Sequence, residues 1–453
     1  MRHLKTTMKY DSLFNIPKSE VSREQFIGDL RLWGKETDYG QDRIDLWLDS
    51  EEDWQVPVYW ALNKGYKGED NTYFEERDWP KPNFDYKHNQ EEVVKRLLQN
   101  FENNHTGIIK AGMGFGKSLV CMDWARQMKT NVLIMCHKTD VLQAFEETAN
   151  KLFGVECGYI VGKKEDTSKL ITLSTRQTMV NRLKSDESLK RKFGAYCVDE
   201  AHRISSKSYI DIINALESRY RLMMTATLRR ADKLNGVWDH HFGPVIATGK
   251  ANFKPRMLYM PEMNLKTLNT KWLNYQGKIQ TSKVHNSIAD CSEYNGWIQS
   301  VCRDLTGRGR KILVICEYKS HIYNLKNLLP ESGIYIGTDL DKKRIKKKEL
   351  QDAIKCPIIL ATNKKIGDGT DTDRMMGDID YIKPDTVMMV SPISDPEQQV
   401  GRIRDFEGMP DPLVIHPIIT NHYYVKNQAV KSSKVYDNSE WLDFNYIKNL
   451  DNV

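Results

Sequence analysis

Residues 107–118, with the sequence Gly-Ile-Ile-Lys-Ala-Gly-Met-Gly-Phe-Gly-Lys-Ser, decide the fold of the segment around them. The apolar beginning is typical of a short buried strand, and the apolar pattern that follows Ser118 predicts a helix. A strand, a glycine-rich loop, Lys-Ser and a helix, in that order, wrap backbone N–H groups and a helix N-terminus around phosphate. We therefore predict a nucleotide-phosphate loop at residues 111–118, in which Ala111 stands where the general pattern has its first glycine.

The predicted loop gives its residues distinct tasks. Gly112, Gly114 and Gly116 let the backbone approach the phosphates closely. Lys117 would neutralise the β and γ phosphates, and Ser118 would hold Mg²⁺. The predicted ligands are therefore ATP and Mg²⁺.

Two adjacent carboxylates follow another apolar run. The run Ala195-Tyr-Cys-Val198 ends in Asp199-Glu200-Ala201-His202. In a doubly wound fold the carboxyl end of a parallel strand lies on the same edge as the phosphate loop. Asp199 is therefore predicted to be a Mg²⁺ ligand, and Glu200 to orient and deprotonate the attacking water.

Apolar runs alternate with helical patterns over the rest of the chain, which predicts an α/β fold with doubly wound parallel sheets. The runs of the first series are GIIKA, VLIMC, LITLS, AYCVD and RLMMTA, and those of the second are KILVIC, GIYIG, PIILA, TVMMV and PLVIHP. At 453 residues the chain is long enough for more than one core. We predict an N-terminal accessory domain at 1–84, a first α/β domain at 85–250 and a second at 251–453 with a C-terminal extension.

The composition is that of an ordinary folded protein, with 40% hydrophobic and 28% charged residues. The N-terminus lacks the apolar core of a signal peptide and no run is long enough to span a membrane, so we expect a cytoplasmic protein with no membrane partner. The eight cysteines form no CxxC pair and are interpreted as small buried hydrophobes.

Charge and tryptophan are unevenly distributed. Residues 1–84 carry 12 Lys and Arg against 17 Asp and Glu, a net of −5, so the remaining 369 residues carry +11. A polyanion is therefore expected to dock on the later part, although a solvated surface is an equal alternative. Five of the ten tryptophans lie before residue 85, and a small core is favoured there over stacking platforms for bases. They are Trp33, Trp47, Trp54, Trp60 and Trp79.

AGMGFGKS and VDEAH resemble motifs of superfamily two helicases, and later stretches of the chain resemble further motifs in the order that the family has them. This resemblance implies two RecA-like domains. The resemblance covers roughly residues 85–410. Met224–Thr227 is similar to the motif that couples the ATP state to domain movement, and Thr225, Thr227 and His202 are the residues implied. The continuations 228–234 and 242–246 are similar to the branch of DNA helicases that includes phage UvsW-like enzymes, where proline usually stands at Leu228.

The resemblance also implies further site residues. Gln90 would read the adenine. The residues expected to contact ATP from the second domain are Gly369, Asp371, Gln398, Arg402 and Arg404. Those expected to contact the nucleic acid are Lys138, Thr175, Gln177 and Thr362. One departure is Asp405, which stands where the family commonly has a second arginine, so either Arg404 takes that role or Arg402 acts alone.

The function implied is an ATP-dependent DNA helicase or translocase acting on forked and junction DNA in replication or recombination. The expected partners are branched DNA and proteins of those pathways, and the chain is expected to be a monomer of bacteriophage type. An RNA or RNA–DNA hybrid helicase would share every ATPase motif and remains an alternative. A nucleic-acid-binding switch that uses ATP without unwinding is a second alternative, motivated by Asp405. A restriction-type translocase is disfavoured because the sequence shows no nuclease constellation.

Overall fold

A computed structural model describes residues 8–37, 40–112, 114–137, 139–200, 207–226, 234, 236–251, 253–274, 277–367, 376, 381–403, 408–451 and 453. The chain divides into two compact units, Met1–Ala251 and Asn252–Val453. The predicted α/β class is confirmed, with one doubly wound, largely parallel sheet in each unit. No helix in the described part of the chain is long and apolar enough to cross a membrane.

The first unit begins with a small mostly antiparallel sheet in the order β5-β6-β2-β1-β7 and a separate β3–β4 hairpin. The strands are β1 Lys9–Tyr10, β2 Leu13–Pro17, β3 Arg31–Thr37, β4 Gly40–Asp45, β5 Leu48–Asp49, β6 Asp53–Pro57 and β7 Glu69–Asp70. Two short helices accompany them, α1 Ile27–Leu30 and α2 Val58–Asn63, with a 3-10 segment at Arg23–Gln25.

The aromatic core of this N-terminal part is built around Phe26. Its ring meets the rings of Trp47, Trp54 and Trp60 edge-on at centroid distances of 5.6, 5.5 and 6.3 Å. The prediction of a tryptophan-rich core is therefore confirmed for these three. It is wrong for Trp33, which is 52% exposed on the β3–β4 hairpin, because only one face of that hairpin packs on the protein.

The N-terminal part is fastened to the α/β part of the first unit by backbone and side-chain bonds. Tyr73 pairs with Ser218 in a parallel bridge, and the indole of Trp79 donates to the carbonyl of Thr130 at 3.0 Å. The buried Arg221 guanidinium donates to the backbone carbonyls of Asp11 and Ser12. Residues 1–251 consequently form one compact unit, and the separate role predicted for 1–84 stays a prediction.

The main sheet of the first unit has the order β11-β10-β12-β9-β13-β14-β8-β15 and is parallel except for β11. Its strands are β8 Thr106–Ala111, β9 Val132–Cys136, β10 Cys157–Val161, β11 Lys164–Glu165, β12 Ile171–Thr175, β13 Ala195–Val198, β14 Tyr220–Thr225 and β15 Val245–Gly249. The helices are α3 Gln90–Phe101, α4 Lys117–Gln127, α5 Thr139–Thr148, α6 Arg176–Ser185, α7 Lys207–Ile213 and α8 Gly236–Phe242, with a π segment Ala149–Phe153 and a 3-10 segment Glu187–Arg191.

Side chains alternate between the two faces of this sheet, as the pleat requires. Ile108 belongs to the hydrophobic cluster that includes α6, α7, α8 and the N-terminal part. Its neighbour Ile109 belongs to the cluster that includes α3, α4 and α5. Because both faces are covered, the central strands read as continuous apolar runs in the sequence.

The second unit holds an all-parallel sheet in the order β19-β20-β18-β21-β22-β16-β24, and a two-stranded pair β17-β23. Its strands are β16 Arg256–Tyr259, β17 Glu262–Met263, β18 Ile312–Cys316, β19 Gly333–Tyr335, β20 Ile358–Thr362, β21 Thr386–Met389, β22 Leu413–Ile415, β23 Ile418–Ile419 and β24 Phe444–Ile447. Its helices are α9 Thr281–Ala289, α10 Ser292–Gly307, α11 Lys319–Leu328, α12 Lys347–Lys355, α13 Asn363–Gly367, α14 Glu397–Val400 and α15 Tyr423–Asp437.

A buried ion pair ties the amino-terminal ends of two central strands in this second sheet. Arg310, just before β18, donates from Nη1 to Asp385 Oδ1 at 2.8 Å. The other carboxylate oxygen of Asp385 accepts from the Lys311 backbone N–H at 2.9 Å. Both partners of the pair are buried, so each charge depends on the other.

The cysteine interpretation holds for most of the eight thiols. All eight are free, and six of them are buried among hydrophobic side chains. Cys157 and Cys356 are only partly buried. No group of three or more potential metal ligands occurs among the described residues.

Candidate functional site

The carboxyl ends of β13, β14 and β8 bring the two strongest sequence motifs to one edge of the first sheet. Val198 pairs with Met223, which pairs in turn with Ile108. Further along, Thr225 of β14 pairs with Lys110, just before the glycine loop begins, while β13 ends at Val198 and is followed directly by Asp199 and Glu200. Since β14 separates β13 from β8, the backbone of β13 lies about 10 Å, or two strand spacings, from the backbone of the strand that enters the loop.

The glycine loop takes a backbone conformation that favours glycine. Gly114 and Gly116 have φ values of 77° and 90°, and Gly116 caps α4 in the left-handed region. A Cβ on Gly116 would lie 2.4 Å from Gln90 Nε2, so any side chain there collides as well as straining the backbone. Ser118 then occupies the first turn of α4, whose N–H groups are free of partners inside the helix.

The Lys117 ammonium folds back across the loop. It donates to the carbonyl oxygens of Ala111 at 3.1 Å and Gly112 at 3.4 Å. This places a cation beside the first-turn N–H groups of α4, a donor set that suits the phosphates of ATP. The residues present therefore fit a bound nucleotide.

Gln90 links the glycine loop to the turn before α3 through the two ends of its amide. Its Oε1 accepts from the Lys87 backbone N–H at 2.9 Å, and its Nε2 donates to the Phe115 carbonyl at 2.5 Å. The preceding Asn89 bonds to the end of β15, at the Thr248 carbonyl. The side chain predicted to read adenine is thus buried and bonded to the loop backbone, and the adenine contact stays a prediction.

Asp199 and Glu200 differ in backbone geometry. The Asp199 N–H donates to the Met135 carbonyl at 3.0 Å, which continues the pairing of β13 with β9. Glu200 turns out of the sheet with φ of 54°, a strained value for a residue with a side chain. Asp199 is buried and Glu200 half-buried, and carboxylate oxygens at this edge are ligands that Mg²⁺ prefers.

The Cys136 thiol, at the end of β9, lies near Asp199 and is uncharged. Burial, with the Asp199 carboxylate as the next cause, raises the pKa of the Cys136 thiol well above its ordinary value. The neutral thiol at the end of β9 does not compete for a cation with the two carboxylates.

One supporting residue of α4 was missed by sequence reasoning. Asp123 is fully buried and accepts from the Tyr86 hydroxyl at 2.5 Å, the Arg126 Nε at 2.7 Å and the Gln127 amide at 2.8 Å. Burial, then the bond to Asp123, raises the pKa of Tyr86. The contact fixes the segment before α3 to the helix that begins in the phosphate loop; the only signal in the sequence was a carboxylate inside an apolar helix.

Thr175 ends β12 at the same edge and caps α6. Its Oγ1 accepts from the Thr178 N–H at 3.4 Å and lies 2.9 Å from the Thr178 hydroxyl. Gln177 is exposed in the first turn of this helix. The start of α6 therefore presents polar groups and the positive end of a helix dipole beside the phosphate-loop edge.

In the second unit, a hydrogen-bonded chain joins β18, β20 and α14. Thr362 ends β20 and accepts from the Lys365 N–H at 3.3 Å. The next residue, Asn363, accepts from the buried Gln399 amide at 2.5 Å and donates to the Glu317 carboxylate at 3.1 Å. These bonds join the residue after Thr362 to the helix that precedes Arg402, and no motif in the sequence indicated them.

Several predicted site residues lie outside the described part of the chain: Lys138, His202, Thr227, Gly369, Asp371, Arg404 and the departure Asp405. Of Gln398 only the backbone, in α14, is described. Thr225 is buried at the end of β14, and Arg402 is half-buried after α14. The first unit thus brings together the phosphate loop, the carboxylates, Thr225 and Thr175, while Thr362 and Arg402 belong to the second.

Residues 83–230 match the family described as type III restriction enzyme, res subunit. "Probable helicase D10" of Escherichia phage T5 is 24% identical over 373 residues, covering 80% of this chain and 78% of that protein. "DNA 3'-5' translocase XPB2" of Sulfurisphaera tokodaii is 31% identical over 184 residues, covering 39% of this chain and 40% of that one. The crystal structure of T4 UvsW aligns over 98% of this chain and 99% of its own, with 17% identity and a TM-score of 0.41.

Proposed function

We propose that this chain is a motor on DNA. Its family match and its helicase relatives show that it is an ATP-dependent helicase of superfamily two, and the proposal starts from that premise. Helicases use ATP and bind nucleic acid. The observation that carries the proposal is the shared sheet edge, where β13 ends just before Asp199 and Glu200 while Thr225 of the neighbouring strand pairs with Lys110 before the phosphate loop. What is proposed beyond the family is the assignment of residues and the substrate.

For hydrolysis, Lys117 and the first-turn N–H groups of α4 bind the β and γ phosphates. Ser118 and Asp199 would hold Mg²⁺, whose charge neutralises phosphate oxygens. Glu200, turned out of the sheet by its left-handed backbone, orients the attacking water and takes its proton. By the family resemblance, Arg402 stabilises the charge that develops on the γ-phosphate.

For movement, the two units each supply a grip on one strand. Thr175 with Gln177 would bind phosphates from the first unit, and Thr362 from the second. A change of ATP state that shifts one unit against the other would then advance the strand. Because phosphate contacts carry no base information, binding is expected to be independent of sequence and sensitive to salt.

The proposed substrate is forked or junction DNA, during replication or recombination. The support is the similarity of residues 228–234 and 242–246 to UvsW-like helicases, and the relative named as a DNA translocase. The N-terminal part, fastened to the same unit as the phosphate loop, would position the junction or bind a partner. Its net charge of −5 disfavours a broad electrostatic grip on duplex.

The test compares ATP hydrolysis with no nucleic acid, with single-stranded DNA, with a four-way DNA junction and with RNA, alongside strand separation of the junction. The proposal expects DNA to stimulate hydrolysis, junctions most strongly, and strands to separate. Stimulation by RNA alone would replace the DNA assignment with an RNA helicase. Stimulation by DNA without strand separation would favour an ATP-driven binding switch.

A further inference from the structure

A cavity of about 250 Å³ lies inside the first unit, between the N-terminal part and the amino-terminal ends of β8 and β14. The residues around it that matter here are Tyr10, Tyr59, Thr106, Arg219 and Arg221. Thr106 begins β8, and the two arginines flank Tyr220 at the start of β14. Because the strands are parallel, this edge of the sheet is opposite to the one that holds the phosphate loop, so the cavity is a separate site.

The cavity has a buried positive charge on its wall. Arg221 is 2% exposed, and its hydrogen bonds within the described chain go to the backbone carbonyls of Asp11, Ser12 and Ser218. None of these carbonyls carries a full negative charge. A buried guanidinium without a carboxylate partner is costly, and an anion in the cavity would offset that cost.

A second guanidinium, that of Arg219, also lines the cavity and is partly exposed. Arg219 Nη2 lies 3.6 Å from Asp70 Oδ2, and its Nε has no hydrogen-bond acceptor among the described residues. The same carboxylate oxygen is 3.5 Å from His105 Nδ1. Burial lowers the pKa of His105; the Asp70 carboxylate opposes this effect, and the two arginines add to it. The His105 imidazole thus lies near one carboxylate and two guanidinium groups, whose charges sum to a net positive charge.

The remaining wall offers a hydroxyl and two aromatic rings. Thr106 is 5% exposed, lines the cavity, and its Oγ1 has no hydrogen-bond partner within the described chain. Tyr59 packs so closely over Gly243 that a Cβ there would lie 2.5 Å from its ring. A fixed tyrosine ring beside guanidinium groups is a combination suited to a base or sugar next to a phosphate.

We propose that this cavity binds a single nucleotide unit, with its phosphate at Arg219, Arg221 and Thr106 and its ring against Tyr59. The volume is below the range of about 300–1,000 Å³ usual for drug-sized ligands, which limits the occupant to one such unit. The unit is either a free nucleoside monophosphate or the 5′-phosphorylated end of a DNA strand. The proposal does not rest on the motor function and survives or fails separately from it.

The experiment is a calorimetric titration of the full chain with dAMP in the presence of saturating ADP, which keeps the phosphate loop filled. We expect one dAMP per chain. Arg219→Gln should weaken binding roughly ten- to a hundred-fold, because charge-assisted hydrogen bonds are lost. Thr106→Val, which keeps the side-chain shape, should weaken it about threefold to tenfold by the loss of one neutral bond.

The matched control is Arg77→Gln, since Arg77 lies outside the cavity lining and pairs with the exposed Glu75 at 2.9 Å. Its binding should equal that of wild type. Competition by a 5′-phosphorylated oligonucleotide but not by its 5′-hydroxyl form identifies a strand end, and no competition by either identifies a free nucleotide. No dAMP binding at millimolar concentration, or equal binding by wild type and Arg219→Gln, would overturn the proposal.

Discussion

Replacing Gly116 by alanine should disable the phosphate loop through two separable effects. The first is backbone strain, since φ is 90° at this position and a side chain in the left-handed region costs about 1–2 kcal/mol. The second is collision, because the new Cβ would lie 2.4 Å from Gln90 Nε2. Displacing Gln90 breaks its bonds to Phe115 and Lys87, each worth about 1 kcal/mol.

The two effects together amount to about 3–4 kcal/mol against the loop conformation that binds phosphate. Because only that conformation binds, the apparent Kd for a fluorescent, non-hydrolysable ATP analogue should rise by the same free energy, roughly 150- to 1,000-fold. Gly154 provides the matched control. It has φ of 64° but open space around a new Cβ, so Gly154→Ala strains the backbone without collision and should leave the Kd unchanged.

The collision is isolated by repeating the change in a Gln90→Ala background. Without the Gln90 side chain the alanine at position 116 meets no nearby amide, and only strain of about 1–2 kcal/mol remains, roughly a 5- to 30-fold rise in Kd. An equal fold-change from Gly116→Ala in both backgrounds would contradict the predicted collision with Gln90. It would show that Gln90 does not hold the loop in the arrangement described.

Three further outcomes are expected. Asp385→Asn leaves the buried Arg310 unpaired and should destabilise the second unit by about 3–5 kcal/mol in chemical unfolding, whereas Asp304→Asn, in an exposed pair, should cost less than about 1 kcal/mol. Asn363→Ala removes the hydrogen bonds that connect Glu317 to Gln399. DNA-stimulated ATP hydrolysis should fall about tenfold while basal hydrolysis stays unchanged, consistent with the loss of about 1–1.5 kcal/mol of hydrogen bonding. An equal loss of both rates would indicate a structural role only. Burial lowers the pKa of His416 to about 4, whereas the pKa in the unfolded chain is about 6.5. Between these two values the unfolded state binds one more proton than the folded state, so the free energy of unfolding should decrease as the pH falls. His416→Gln should reduce this pH dependence, measured by chemical unfolding at pH 7 and pH 5.

The sequence was sufficient for features that depend on local pattern. The glycine-rich turn between β8 and α4, the strand that ends just before Asp199 and the alternation of strands with helices all come from short-range periodicity and glycine placement. The buried character of most cysteines followed from the apolar runs around them. These features were predictable because a few neighbouring residues determine each one.

Features that depend on distant contacts could not be predicted. The bonds from Gln90 to the loop join residues 25 positions apart, and the chain from Gln399 to Asn363 spans 36. The left-handed φ of Glu200 has no sequence signal, because glycine and asparagine are the residues usual at such values. Trp33 was assigned to a core by its residue type, and only the hairpin geometry shows that it faces solvent.

In the proposed mechanism, Glu200 activates water beside a phosphate loop that contains Lys117. The measurement is ATP hydrolysis on single-stranded DNA together with ATP-analogue affinity, for wild type, Glu200→Gln and the exposed control Glu187→Gln. The account predicts that Glu200→Gln keeps its affinity within a few-fold and loses about 10²- to 10⁴-fold in hydrolysis, as removal of a general base does, while Glu187→Gln matches wild type. Hydrolysis by Glu200→Gln near the wild-type rate would contradict it.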